Sequence, residues 1–146
     1  MSTFEFSTRQ RILVAAEELF AEHGFAGASL RRVTAAAKVN LAAVNYHFGS
    51  KEKLIEEVFR RRLDMLTEQR MQALAKVAGD KACTLEDVLN AFIRPALELS
   101  LSDRGGAAFM RVMARAYAEQ DDSFREFLST HYGHVLKQFA AEFARL

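Results

Sequence analysis

Residues 29–53, SLRRVTAAAKVNLAAVNYHFGSKEK, hold two short helical patterns separated by a three-residue break, an arrangement that few folds accept. Ser29 is a good helix cap, and Leu30, Val33 and Ala37 fall on one face of a helix of about two turns. Lys38, Val39 and Asn40 interrupt it. A second short helix is expected over about residues 41–46, closed by Tyr46-His47-Phe48-Gly49-Ser50-Lys51. With this spacing a second helix can be presented to a DNA major groove. Arg31, Arg32, Lys38, Lys51 and Lys53 stand against Glu52 alone, 5 − 1 = +4, while the remaining 15 bases and 18 acids give −3. A single positive patch on a nearly neutral chain suits a phosphate backbone.

The other segments also read as helices. At 146 residues the chain can form one compact domain, or a small module joined to a helical body. One proline, seven glycines and abundant Ala, Leu, Glu and Arg favour helix almost throughout. Ser7 and Gln10 match a capping box opening a helix with Ile12, Ala16, Leu19 and Phe20 inward, and Gly24 is its expected stop. Ser50 caps a fourth helix running to about Ala78, with Ile55, Val58, Phe59, Leu63 and Leu66 inward. At ~1.5 Å per residue it would span about 40 Å. Gly79-Asp80-Lys81 breaks it. Thr84 with Asp87 opens a helix to about Leu101, which Pro95 should kink by removing a donor and crowding the preceding turn. After a polar loop over 102–106, a helix over 107–118 carries Phe109, Met110, Met113 and Tyr117. Ser123 with Glu126 forms another capping box, starting a last helix with Phe127, Leu128, Val135, Leu136, Phe139 and Phe143. The expected fold class is all-α, with seven helices and no strand.

The run ILVAAEELFAEHGFAGASL, the helix-turn-helix and then YHFGSKEKLI, in that order between Arg11 and Val58, resemble a TetR-family transcriptional regulator. The resemblance implies a three-helix DNA-binding module over residues 1–53 and a helical ligand-binding and dimerisation body over 54–146. It implies a homodimer on a palindromic operator of double-stranded DNA, with half-sites about one helical turn (~34–36 Å) apart. It also implies an apolar cavity in the body, whose occupation by a small ligand shifts the balance between DNA-competent and incompetent states. By the same resemblance Tyr46 and His47 contact the DNA backbone, and Lys51 contacts a phosphate at a helix N-terminus, where anions are favoured. Ser29 and Arg31 are further phosphate candidates. Asn40, Leu41, Ala42, Ala43 and Asn45 occupy the base-facing part of the recognition helix, with the two asparagines suited to adenine and the alanines to a thymine methyl. Arg31 is preferred to Arg32, since the two lie about 100° apart on a helix.

Two positions depart from the family pattern. Many members have glycine where Lys38 stands, so this lysine either costs up to about 1 kcal/mol or adds a phosphate contact. Many have tyrosine where Asn45 stands. The string VNLAAVNYHFGSK is also similar to a fatty-acid-responsive subgroup, which makes a fatty acyl compound a candidate effector. Phe92, Phe109, Met113, Phe127, Tyr132 and Phe139 are the expected lining of the apolar pocket. Family members carry two further helices that dimerise as a four-helix bundle, so a chain ending at Leu146 is expected to be truncated and to expose apolar surface from its last helix.

Other features read more plainly. Arg60-Arg61-Arg62 is expected on a solvated face, paired with Glu56, Glu57 and Asp64. His131 and His134 lack the companions of a recognised ligand set and are expected at the surface or pocket rim, with no metal. Cys83 has no basic neighbour but Lys81 and is expected to be an inert thiol. No nucleophile–base pair, phosphate-binding glycine loop or paired carboxylates appear, and Asp121-Asp122 suit a helix start, so no enzyme and no cofactor are expected. No segment reads as a signal peptide or membrane span, and a cytoplasmic location is expected. The competing reading is a TetR-fold DNA-binding scaffold whose body binds a protein. A body with no small-molecule cavity would favour it.

Overall fold

The computed structural model describes residues 6–102, 105–120 and 122–146, and among them every regular element is helical. Seven helices follow in order: α1 Thr8–Gly27, α2 Leu30–Ala37, α3 Leu41–His47, α4 Lys51–Val77, α5 Leu85–Ser100, α6 Gly106–Ala118 and α7 Asp122–Arg145. Local chemistry starts five of them. The Ser7–Gln10 and Thr84–Asp87 capping boxes form reciprocally, and Ser29, Asn40 and Ser50 each accept from the backbone N–H three residues on. These side-chain oxygens satisfy donors that a helix start leaves without partners.

Gly24 bends α1 rather than ending it. Its φ of 72° interrupts the helix, which then resumes to Gly27. A Cβ there would lie 2.8 Å from Glu119 Oε1, so the bend also serves a close approach to the end of α6. Helix α7 begins one residue earlier than its expected cap, which places Ser123 in its first turn. Pro95 lies buried within α5, which runs through it without a break. Asp103, Arg104 and Asp121 lie outside the described residues, and with them part of the expected 102–106 loop and the Asp121-Asp122 pair.

The larger core joins α1 to α4 with α6 and the start of α7. Phe59 stands at its centre, with ring centroids 4.5 Å from Phe124, 5.8 Å from Phe25 and 6.2 Å from Phe109. A smaller core of Leu74, Val88, Ala91, Val135 and Phe139 closes the far end, between α4, α5 and α7. Helix α4 is therefore the shared spine, reaching from the head into the body.

The expected solvated arginine face of α4 needs correction. Arg62 is buried, and its Nε and Nη2 donate to Glu17 Oε2 and Oε1 at 3.2 and 3.0 Å. Arg60 does meet Glu57, at 3.6 Å. Leu136 is also turned outward. The larger exposed apolar feature is on α5, where Leu85, Leu89, Ile93, Leu97 and Leu101 repeat every fourth residue and are all exposed.

Candidate nucleic-acid interface and body cavity

The turn between α2 and α3 is built by backbone geometry. Lys38 adopts φ 57° and ψ 47°, the left-handed region where glycine is the usual occupant. Its N–H reaches the Ala35 carbonyl, and the Val39 N–H reaches that of Thr34, 3.0 Å away. Asn40 then starts α3, its Oδ1 accepting from Ala43 N–H at 2.9 Å. Behind the turn, Arg11 of α1 donates to the Ala37 and Lys38 carbonyls.

Helix α3 is held by one face and offers the other. Val44 is fully buried and Phe48 nearly so, while Ala43 is half-buried against the core. Leu41, Ala42, Asn45 and Tyr46 are exposed, and Tyr46 at 85% is the most exposed large hydrophobic side chain of the described residues. A seven-residue helix that turns two large apolar side chains, Leu41 and Tyr46, to solvent is shaped for contact. His47 is half-buried, its ring edge-on to Tyr46 at 5.0 Å.

The expected phosphate contacts divide by what already holds them. Ser29 Oγ accepts from Arg32 N–H, and Arg32 Nη1 donates to the Gly27 carbonyl at 3.2 Å. Arg31 and Lys38 are exposed, with no ion pair among the described residues. Lys51 Nζ donates to the Phe25 carbonyl, tying the start of α4 to the end of α1. An ammonium has three donors, so two remain.

In the body, a cavity of about 700 Å³ lies between α4, α5, α6 and α7. Of the six residues expected around a pocket, Phe92, Phe109, Met113 and Tyr132 line this one. Phe127 instead faces a smaller cavity of about 390 Å³ at the head–body junction, shared with Phe25, Lys51 and Phe124. Phe139 is packed into the smaller core, 5.1 Å from the Phe92 ring. Tyr132 O–H donates to Asp64 Oδ1 at 2.6 Å, and burial together with that bond pushes its pKa well above the ordinary phenol value.

Helix α6 supplies both cavity wall and head contact. Beyond Phe109 and Met113 it carries Arg115, whose Nε and Nη2 donate to the Ala21 and Glu22 carbonyls of α1 at 2.8 and 2.9 Å. Sequence reasoning missed Arg11 and Arg115. Each acts on backbone carbonyls far away in sequence, which leaves no local pattern.

His131 and His134 are both exposed, the former 4.9 Å from the Phe127 ring. The described residues contain no group of three or more His, Cys, Asp or Glu arranged for a metal. Cys83 is buried, and desolvation chiefly, with Asp87, raises its thiol pKa. None of the described helices is long and apolar enough to cross a membrane.

The fold and this head define a helix-turn-helix protein with a helical body. Residues 12–58 match the description "Bacterial regulatory proteins, tetR family", and residues 90–146 match "Tetracyclin repressor-like, C-terminal domain". The chain belongs to the TetR family. The transcriptional repressor AcnR of Corynebacterium efficiens is 48% identical over 48 residues, 33% of this chain and 26% of AcnR. The transcriptional regulator AcrR of Shigella flexneri is 33% identical over 82 residues, 56% of this chain and 38% of AcrR. The transcriptional repressor NicS of Pseudomonas putida is 39% identical over 75 residues, 51% of this chain and 34% of NicS. The chain thus covers well under half the length of these relatives. Among solved structures, SCO7518 of Streptomyces coelicolor A3(2), a proposed transcriptional regulator, superposes with a TM-score of 0.62. It is 29% identical, over 94% of this chain and 74% of its own.

Proposed function

We propose that the chain is a DNA-binding transcriptional regulator, a repressor released from a palindromic operator by a small apolar ligand. The observation that carries this reading is α3, which buries Val44 and exposes Leu41, Ala42, Asn45 and Tyr46 beside a local charge of +4. Leu41, Ala42 and Asn45 are the base-edge readers, with Tyr46, His47, Ser29, Arg31, Lys38 and Lys51 contacting the DNA backbone. Asn40 Oδ1 is occupied by its cap, so Asn45 is the better of the two asparagines for a bidentate pair with adenine. Residues 1–53 are the reading head and residues 54–146 the regulatory body. The active form is a homodimer in the cytoplasm, and regulation requires no turnover.

Support for ligand control comes from continuity of the elements. Two of the helices that wall the 700 Å³ cavity reach the head: α4 begins at Lys51 and α6 carries Arg115, both bound to carbonyls of α1. A ligand that favours one packing of α4 and α6 biases the position of the head. A cavity of this size also favours a small molecule over a protein as the partner of the body. Similarity of VNLAAVNYHFGSK to fatty-acid-responsive members makes a fatty acyl compound the first ligand to try.

The test is operator selection from genomic fragments, repeated with the Lys51→Ala/Tyr46→Phe double variant. The expected result is an enriched palindrome that the variant binds more weakly across all sequences, with a shallower salt dependence. Enrichment of no sequence, at low or physiological salt, would overturn the reading.

A further inference from the structure

We propose that the cavity between α4 and α7 takes an amphiphilic anion, an apolar chain ending in a carboxylate, and that Arg70 receives the carboxylate. The proposal rests on the reading of that cavity as the effector site.

The cavity wall is asymmetric in charge. Most of its lining is apolar or aromatic, and its charged members are Arg70, Arg125 and Lys137, with no Asp or Glu among the described residues. Arg125 and Lys137 are exposed at the rim, whereas Arg70 is half-buried. Its guanidinium is fixed in place: Nε donates to the Phe92 carbonyl at 2.9 Å, and the group lies 3.8 Å from the Phe92 ring centroid. Backbone bond and ring stacking leave little freedom of orientation.

What Arg70 lacks is a counter-charge. On the same helix Arg60 meets Glu57 and Arg62 meets Glu17. Arg70 has no ion pair, and neither Nη1 nor Nη2 makes a hydrogen bond among the described residues. Burial lowers its pKa, the sign of a cation held at a desolvation cost. A guanidinium with its fork open to an apolar cavity matches a carboxylate geometrically, and the pairing gains strength where water is excluded. A neutral chain of equal length would fill the same wall and leave the cation uncompensated.

The test uses the whole chain and two probes differing only at the head, dodecanoate and 1-dodecanol, titrated calorimetrically below their aggregation limits. Dodecanoate is expected to bind at least about tenfold more tightly. Arg70→Gln should abolish that preference, bringing the two probes to equal affinity, and Arg70→Lys should restore part of it. Met113→Trp, which fills the cavity, should remove binding of both. Equal affinity of the two probes for the unaltered chain overturns the head-group assignment yet leaves the effector cavity standing. Binding of neither probe overturns both, and binding that survives Met113→Trp places the ligand elsewhere. The comparison on the unaltered chain decides the matter even if Arg70→Gln does not fold.

Discussion

Arg11 on α1 donates from Nε and Nη2 to the Ala37 carbonyl, at 3.1 and 2.7 Å, and from Nη2 to the Lys38 carbonyl at 2.8 Å. Those carbonyls close α2 and open the turn, where a helix leaves acceptors without partners and its dipole favours a cation. One side chain thereby fixes the end of α2, and with it the direction in which α3 leaves. Arg11→Met keeps the apolar stem and removes the fork. It should lower stability by about 1–3 kcal/mol, the scale of hydrogen bonds to a charged group. Arg11→Lys should recover only part, because a single ammonium cannot copy the fork. A urea midpoint equal to that of the unaltered chain would show that these bonds contribute nothing net.

Lys38 holds a left-handed conformation that a Cβ makes unfavourable. Lys38→Gly relieves it, while the greater freedom of glycine in the unfolded chain offsets part of the gain. The expected net is a stabilisation of up to about 1 kcal/mol. The same variant tests the second role of the residue. A phosphate contact by Lys38 predicts that the slope of log affinity against log salt falls by about one. Loss of stability on Lys38→Gly would instead reveal a stabilising contact of the lysine side chain.

Glu17 and Arg62 form an almost fully enclosed ion pair between α1 and α4, their side chains 4% and 10% exposed. Removing Arg62 takes the guanidinium from the buried Glu17 carboxylate, and removing the Glu17 charge takes this partner from Arg62. Arg62→Met or Glu17→Gln should each cost about 3–5 kcal/mol, measured by chemical denaturation. Replacing both by leucine should cost less than the sum of the two single losses, since no lone charge remains. Additive losses would mean that the pair does not act as a unit.

The sequence was most legible where the chemistry is local. Ser7 with Gln10, Ser29, Ser50 and Thr84 with Asp87 each act within three residues, and each opens the helix it was expected to open. The left-handed turn at Lys38 was legible through the family resemblance, in which many members have glycine at that position, and not from the lysine itself. Arg62 and Glu17 lie 45 residues apart, and Arg11 and Ala37 lie 26 apart, so their meetings depend on how α1 packs against its neighbours. Helical spacing placed Arg62 beside nearby acids on α4, but tertiary packing turned it inward to α1. The candidate pocket shows the same division. Of the six expected residues, Phe92, Phe109, Met113 and Tyr132 share one cavity, but whether Phe127 and Phe139 joined them was decided by the crossing of α7 over α4 and α5.

Glu142 ties the end of α7 to the loop after α4. Its Oε1 accepts from Arg145 Nε at 2.7 Å and from Gly79 N–H at 3.2 Å. The Arg145 bond chiefly, opposed in part by burial and aided by the Gly79 N–H, holds its carboxyl below the ordinary value of 4.5. A carboxylate whose pKa is depressed on folding contributes stability that is fully present above its unfolded pKa and is lost as pH falls through the lower folded one. The unaltered chain should therefore be more stable than Glu142→Gln above about pH 5, and the difference should shrink as pH falls below 4.5. Thermal melts of both proteins from pH 7 to pH 3 give the comparison. Parallel curves across that range would mean that the Glu142 charge does not hold α7 to the loop.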